Sequence, residues 1–90
     1  MLTVADALAA APGSTVTVRG HVIATAGITL ICDLLAETYP PQPGGAQLVL
    51  EDLDITALDD TESAGDTTWT REQRAVTGVV GGGVLRVLEQ

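Results

Sequence analysis

Ninety residues make one domain, with no room for two independent cores. Four Arg and no Lys stand against twelve Asp and Glu, a net charge of −8. That charge is not expected to suit nucleic acid or an anionic membrane, because both need a positive field that four scattered arginines do not supply.

Apolar residues make up 46% of the chain, yet it has one Trp, one Tyr and no Phe. The core must therefore be aliphatic, drawn from 25 Val, Leu and Ile and from 12 Ala. Mean hydropathy is +0.31, but no apolar run approaches the roughly 18–20 residues of a spanning helix. Met1–Ala11 has neither a cationic start nor a long apolar stretch, so it does not read as a signal peptide. With Cys32 as the single cysteine there is no internal disulfide, and with no Asn there is no glycosylation acceptor. The expected location is the cytoplasm; export would require a precursor segment ahead of this sequence.

Thr3–Ala11 predicts a short helix. Thr3 serves as N-cap, Asp6 as its acidic partner, Val4 and Leu8 as the apolar stripe, and Pro12-Gly13 as the stop. Thr15–Ile23 alternates as a strand. Val16, Val18, Gly20 and Val22 point inward, Thr15, Thr17, Arg19, His21 and Ile23 outward, and Gly20 permits a bend. Ala24–Gly27 reads as a turn and Ile28–Cys32 as a second strand that places Ile28, Leu30 and Cys32 on the inner face.

Asp33–Tyr39 predicts one or two helical turns capped by Asp33, and Pro40–Gly45 an exposed loop. Ala46–Glu51 is a third strand burying Leu48 and Leu50. In the acidic stretch Glu51–Asp66, Leu53, Ile55 and Leu58 imply contact with the core, with a helical turn around Ile55–Leu58. Thr61–Thr70 reads as a mobile loop. Arg71–Val80 and Val84–Leu88 are strands joined by Gly81-Gly82-Gly83, whose glycines supply the positive φ of a tight hairpin. The sum is a mainly β chain: a small five-stranded antiparallel barrel with a short N-terminal helix.

The helical lead-in, the bent strand Val16-Thr17-Val18-Arg19-Gly20-His21-Val22 and the closing hairpin Val76–Val80/Val84–Val87 together resemble an OB-fold domain. The segment Leu30–Gly45 looks like one found in small uncharacterised bacterial OB-like proteins. In those relatives a second cysteine often stands at the position of Pro43, which would let it bridge to the counterpart of Cys32. Proline replaces it here, so neither a disulfide nor an exported location follows. The resemblance implies a fold and no activity.

His21 and Cys32 form the only conceivable nucleophile–base pair of thiol and imidazole. Strand phase sends them to opposite faces, which makes Cys32 a buried structural thiol and His21 a solvent-facing residue. Ser14 and Ser63 lie in loops with no nucleophile-elbow context. One His and one Cys cannot form a zinc set.

The carboxylates of residues 51–66 invite a divalent cation. EF-hand spacing counted from Asp60, however, puts Ala64 and Arg71 where oxygen ligands are required. Trp69 and Tyr39 are too few, and too poorly supported by cations, to form a base-stacking platform; Trp69 is expected to plug one end of the barrel. Pro40-Pro41-Gln42-Pro43 reads as a stiff connector, with Tyr39 beside it as a contact anchor.

The leading expectation is a non-enzymatic binding or protein-interaction module with no cofactor. Its contacts would be a protein partner or a second copy, and its candidate surface Arg19, His21, Tyr39, Pro41 and Trp69. The alternative is small-molecule or divalent-cation binding through residues 51–66, with nucleic acid a weaker option by fold analogy alone.

Overall fold

Val16, Val18 and Val22 are separated by even spacing, and this period of two organises the molecule: Val18 and Val22 are fully buried. A computed structural model describes residues 1–89. It contains helix α1 (Val4–Leu8), strands β1 (Thr15–Thr25), β2 (Ile28–Ala36) and β3 (Gln42–Glu51), and a 3₁₀ turn at Ile55–Ala57. Strands β4 (Thr61–Ala64), β5 (Thr67–Thr70), β6 (Arg74–Gly81) and β7 (Val84–Glu89) follow. The protein is mainly β, as the alternation predicts, but it has seven strands rather than five.

Five of them close a ring of pairings, β1–β2–β3–β7–β6 and back to β1. The ring is not wholly antiparallel, because β3 and β7 run parallel through Val49↔Val84, Leu50↔Leu85 and Glu51↔Arg86. β5 and β6 lie end to end along one edge of β1, β5 against Ile23 and Ala24 and β6 against Thr15–Gly20. β2 takes the opposite edge from His21 to Thr25. β4 pairs only with β5 and is a sheet edge.

The main core lies inside the ring. It gathers Val4 and Ala7 of α1 with Val18, Val22, Ile31, Leu48, Leu50, Val76, Val80, Leu85 and Val87, and is closed by Ile55 and Leu58 of the acidic connection. A second, smaller cluster lies on the other face of β1 and β2, where Ile23, Cys32 and Trp69 pack with Leu30, Leu35 and Ala64. Cys32 is buried as expected, but with this outer cluster; Ile31 is the β2 residue that enters the main core. Trp69 likewise seals the outer cluster and does not plug the ring.

Gly20 makes this arrangement possible. It marks the place where β1 passes from its β6 pairing to its β2 pairing. A methyl group there would stand 2.6 Å from the Cys32 carbonyl oxygen and 2.9 Å from Ile31 Cγ1. Gly78 is the corresponding bare position on β6, directly against the Arg86 carbonyl.

Four local expectations change. α1 ends at Leu8, three residues short of the predicted end. Thr3 does cap it, accepting from the Asp6 N–H at 3.1 Å. Asp33–Ala36 is strand rather than helix, and the Asp33 carboxylate, read as a cap for its own helix, accepts instead from the Val4 N–H of α1 at 2.9 Å. The predicted proline loop is strand from Gln42 onward. Pro43 pairs with Leu35 where β3 has no partner on its other side, so its missing N–H costs no ladder bond. Thr61–Thr70 is a hairpin and not a loop, held by its threonines: Thr67 and Thr70 are buried, and Thr70 Oγ1 accepts from the Val22 N–H.

The helical turn expected around Ile55–Leu58 is present as the 3₁₀ turn, with Ile55 and Leu58 buried. Gly82 and Gly83, both at positive φ, make the predicted β6–β7 turn.

Gly20→Ala is expected to cost about 1–3 kcal/mol, because a methyl group has no space against backbone. Urea unfolding of the variant measures this, and an unchanged midpoint would mean that β1 does not bend there.

Candidate functional site

Residues 21, 23 and 25 of β1 share the outer face with residues 30 and 32 of β2, since directly paired residues project to the same side. His21 and Cys32 are such a pair. This corrects the expectation that they point to opposite faces: β1 buries Val22 on one face and Ile23 on the other, so both faces are core here.

The shared face does not make them a catalytic pair. Cys32 Sγ donates to the His21 carbonyl oxygen at 3.5 Å and not to the imidazole. His21 is half-buried, and its Nδ1 is buried with no hydrogen-bond partner. Burial pushes the Cys32 thiol above its ordinary range. Backbone hydrogen bonds from Gly44 and Leu34 oppose that shift and the nearby Asp33 charge adds to it. A nucleophilic thiol needs the reverse.

The remaining candidate residues separate in space. Tyr39 is 77% exposed and meets Trp69 edge to face, ring centroids 5.7 Å apart, while Trp69 itself is 5% exposed. The far end of the β2–β3 hairpin thus reaches the outer cluster, with Leu35 packed into it and Tyr39 above it. Pro41, in the same segment, is buried and offers no surface; the Tyr39–Pro40 peptide is cis.

Arg19 lies apart from these. It is exposed, its Nε donates to Gln73 Oε1 at 3.1 Å, and it lines a cavity with Asp33 and Gln73. Sequence reading singled out neither Asp33 nor Gln73 as a site residue, because pairing across β1–β6 and the α1 contact bring them to Arg19, and no local spacing signals either.

The acidic segment braces the fold. Asp54 caps the 3₁₀ turn through the Thr56 N–H and hydroxyl. Asp59 meets Arg74 at 2.9 Å, and Asp60 meets Arg71 at 3.0 Å and accepts from the Glu72 N–H. Glu62 lies 3.9 Å from Arg71. The Thr56 hydroxyl and N–H hold the Asp54 carboxyl below its usual range, and Arg74 does the same for Asp59. A carboxyl lowered on folding contributes stability above its unfolded pKa and loses it as pH falls through the folded value. Both groups are exposed, so their share is small. Among the described residues, no three or more of His, Cys, Asp and Glu stand together in a way that could hold a metal ion. Among the described residues no helix is long and apolar enough to cross a membrane.

No protein-family model, curated protein or solved structure matches the chain, so no residue role can be carried over from a relative.

Cys32 gives the test of this site. Its raised pKa and burial predict that iodoacetamide alkylates the folded protein slowly at neutral pH and the urea-unfolded chain readily. The stability tied to the protonated thiol is present below its unfolded pKa and is lost as pH rises through the folded value. Equal alkylation rates in the two states would contradict the buried thiol.

Proposed function

We propose that the protein is a non-enzymatic interaction module built on a small OB-like barrel, and that the β2–β3 hairpin is its contact surface for a second copy of the chain. The ring order, with β3 parallel to β7, supports the OB-like reading of the five strands.

One observation carries the functional reading. Of the seven exposed large apolar residues, four lie on this hairpin: Ile28, Leu34, Tyr39 and Val49, at 50%, 61%, 77% and 37% exposure. Exposed apolar side chains gathered on one element mark an interaction surface more than scattered ones do. Tyrosine is suited to such contact because a large ring is immobilised for little entropy, and here Trp69 already braces it.

Charge favours a second copy at this place. The chain carries −8, which repels another copy over most of its surface, yet Glu37 is the only ionised residue from Leu34 to Val49. Two hairpins can therefore meet with little like-charge opposition. The raised thiol pKa of Cys32 and the absence of a hydrogen bond between it and the His21 imidazole among the described residues support the non-enzymatic side of the reading.

Sedimentation or light scattering across a concentration series tests it. Dimer is expected at high micromolar protein, strengthened by added salt, which screens the repulsion between acidic copies. The double substitution Leu34→Ser with Tyr39→Ser is expected to weaken the dimer by about tenfold or more, since apolar anchors dominate interface energies. A monomer at every concentration and salt level would overturn self-association.

A further inference from the structure

Arg19 and Arg86 are the two arginines that form no ion pair among the described residues, whereas Arg71 and Arg74 are bound by Asp59, Asp60 and Glu62. Each unpaired guanidinium lines a surface concavity, and each concavity also holds one carboxylate that does not bond it. Arg86 shares a cavity with Glu51, and Arg19 shares one with Asp33.

The two cavities differ in how their charges are held. Arg86 and Glu51 stand opposite each other on neighbouring strands, with no side-chain hydrogen bond fixing either. In the other cavity each group has a hydrogen-bond partner. Gln73 takes the Nε of Arg19 at 3.1 Å and sets the plane of the guanidinium, leaving its terminal Nη groups free. Oδ1 of Asp33 accepts from the Val4 N–H at 2.9 Å, leaving Oδ2 without a partner among the described residues.

Leu2, on the same cavity lining, is held by backbone pairing. Leu2 pairs with Val18 through two backbone hydrogen bonds of 2.9 Å, Leu2 N–H to Thr17 and Arg19 N–H to the Leu2 carbonyl. The cavity measures about 320 Å³, within the size range of small-ligand sites. It thus presents a planar cation and an anion, each holding one hydrogen bond, beside the half-buried Leu2. Such preorganisation lowers the entropy lost on binding.

We propose that this cavity binds a free α-amino acid with an aliphatic side chain. The Nη edge of Arg19 receives the carboxylate in a charge-assisted, two-point contact. The free Oδ2 of Asp33 accepts from the ammonium group, and the side chain lies along Leu2. A ligand with one sign of charge alone would leave either Arg19 or Asp33 desolvated and unpaired, so the zwitterion is the better complement. The inference does not rest on self-association, although Asp33 lies in β2 beside Leu34.

NMR titration of the full chain with L-leucine tests it. Saturable shifts at the Arg19 Nε–H, the Gln73 amide and the Asp33 backbone are expected in the millimolar range. Leucinamide, which lacks the carboxylate, and N-acetyl-leucine, which lacks the ammonium, are each expected to bind at least about tenfold more weakly. Arg19→Gln and Asp33→Asn should show the same loss for L-leucine; Asn keeps an oxygen for the Val4 N–H, so α1 stays anchored. The two ligand analogues use the unaltered protein and decide the matter even if a variant folds poorly. Absence of saturable shifts, or equal binding of L-leucine and both analogues, would overturn the proposal.

Discussion

β1 has to supply apolar side chains to both of its faces, and the rest of the structure depends on how it does so. Val18 and Val22 fill the ring, while Ile23, the very next residue, belongs to the cluster outside it. An ordinary half-buried strand alternates core and solvent. This one exchanges solvent for a second core within a few residues, at the point where its pairing passes from β6 to β2. Gly20 permits the change because only a residue without Cβ fits against the Cys32 carbonyl.

The outer cluster in turn sets the remaining geometry. It needs a cover, and the extended β2–β3 hairpin supplies one through Leu35 and Tyr39, while the β4–β5 hairpin supplies Trp69 and Ala64. The acidic connection that precedes β4 lies against Arg71 and Arg74. These ion pairs are exposed and individually worth little. Burial of Trp69 and Ile23 contributes more, at about 1.5–3 kcal/mol for each large apolar side chain removed from water.

Much of this was legible from local pattern alone. The alternation of Thr15–Ile23, the burial of Leu48 and Leu50, the 3₁₀ turn at Ile55 and the glycine hairpin before Val84 all follow from residue type and spacing. At Asp33–Leu35 and Pro43 tertiary pairing outweighs local preference. Asp33-Leu34-Leu35 carries a helix signal, yet Asp33 caps a different helix and Leu35 joins the outer cluster. Pro43 suggests a loop, but a strand with one free edge tolerates it. The face of Cys32 was misjudged because period-two reasoning assumes a single core, and here there are two. Of the site residues, Tyr39 and Arg19 were visible as exposed candidates. Asp33 and Gln73 were not, since only the closed ring brings them beside Arg19.

The proposed roles rest on two surfaces: the outer part of the hairpin, Leu34 to Val49, where Glu37 is the one ionised residue, and a cavity with opposite charges beside α1. The hairpin surface requires the outer cluster to be closed in the native state, because Leu35 and Tyr39 pack on it. Trp69 is the sole tryptophan, so its fluorescence reports that cluster without interference from the main core. Acrylamide quenching is the most direct measurement. A closed cluster predicts that Trp69 emission resists quenching until the whole chain unfolds in urea. Ready quenching of the native protein would show that the hairpin does not cover Trp69, and would contradict the second core.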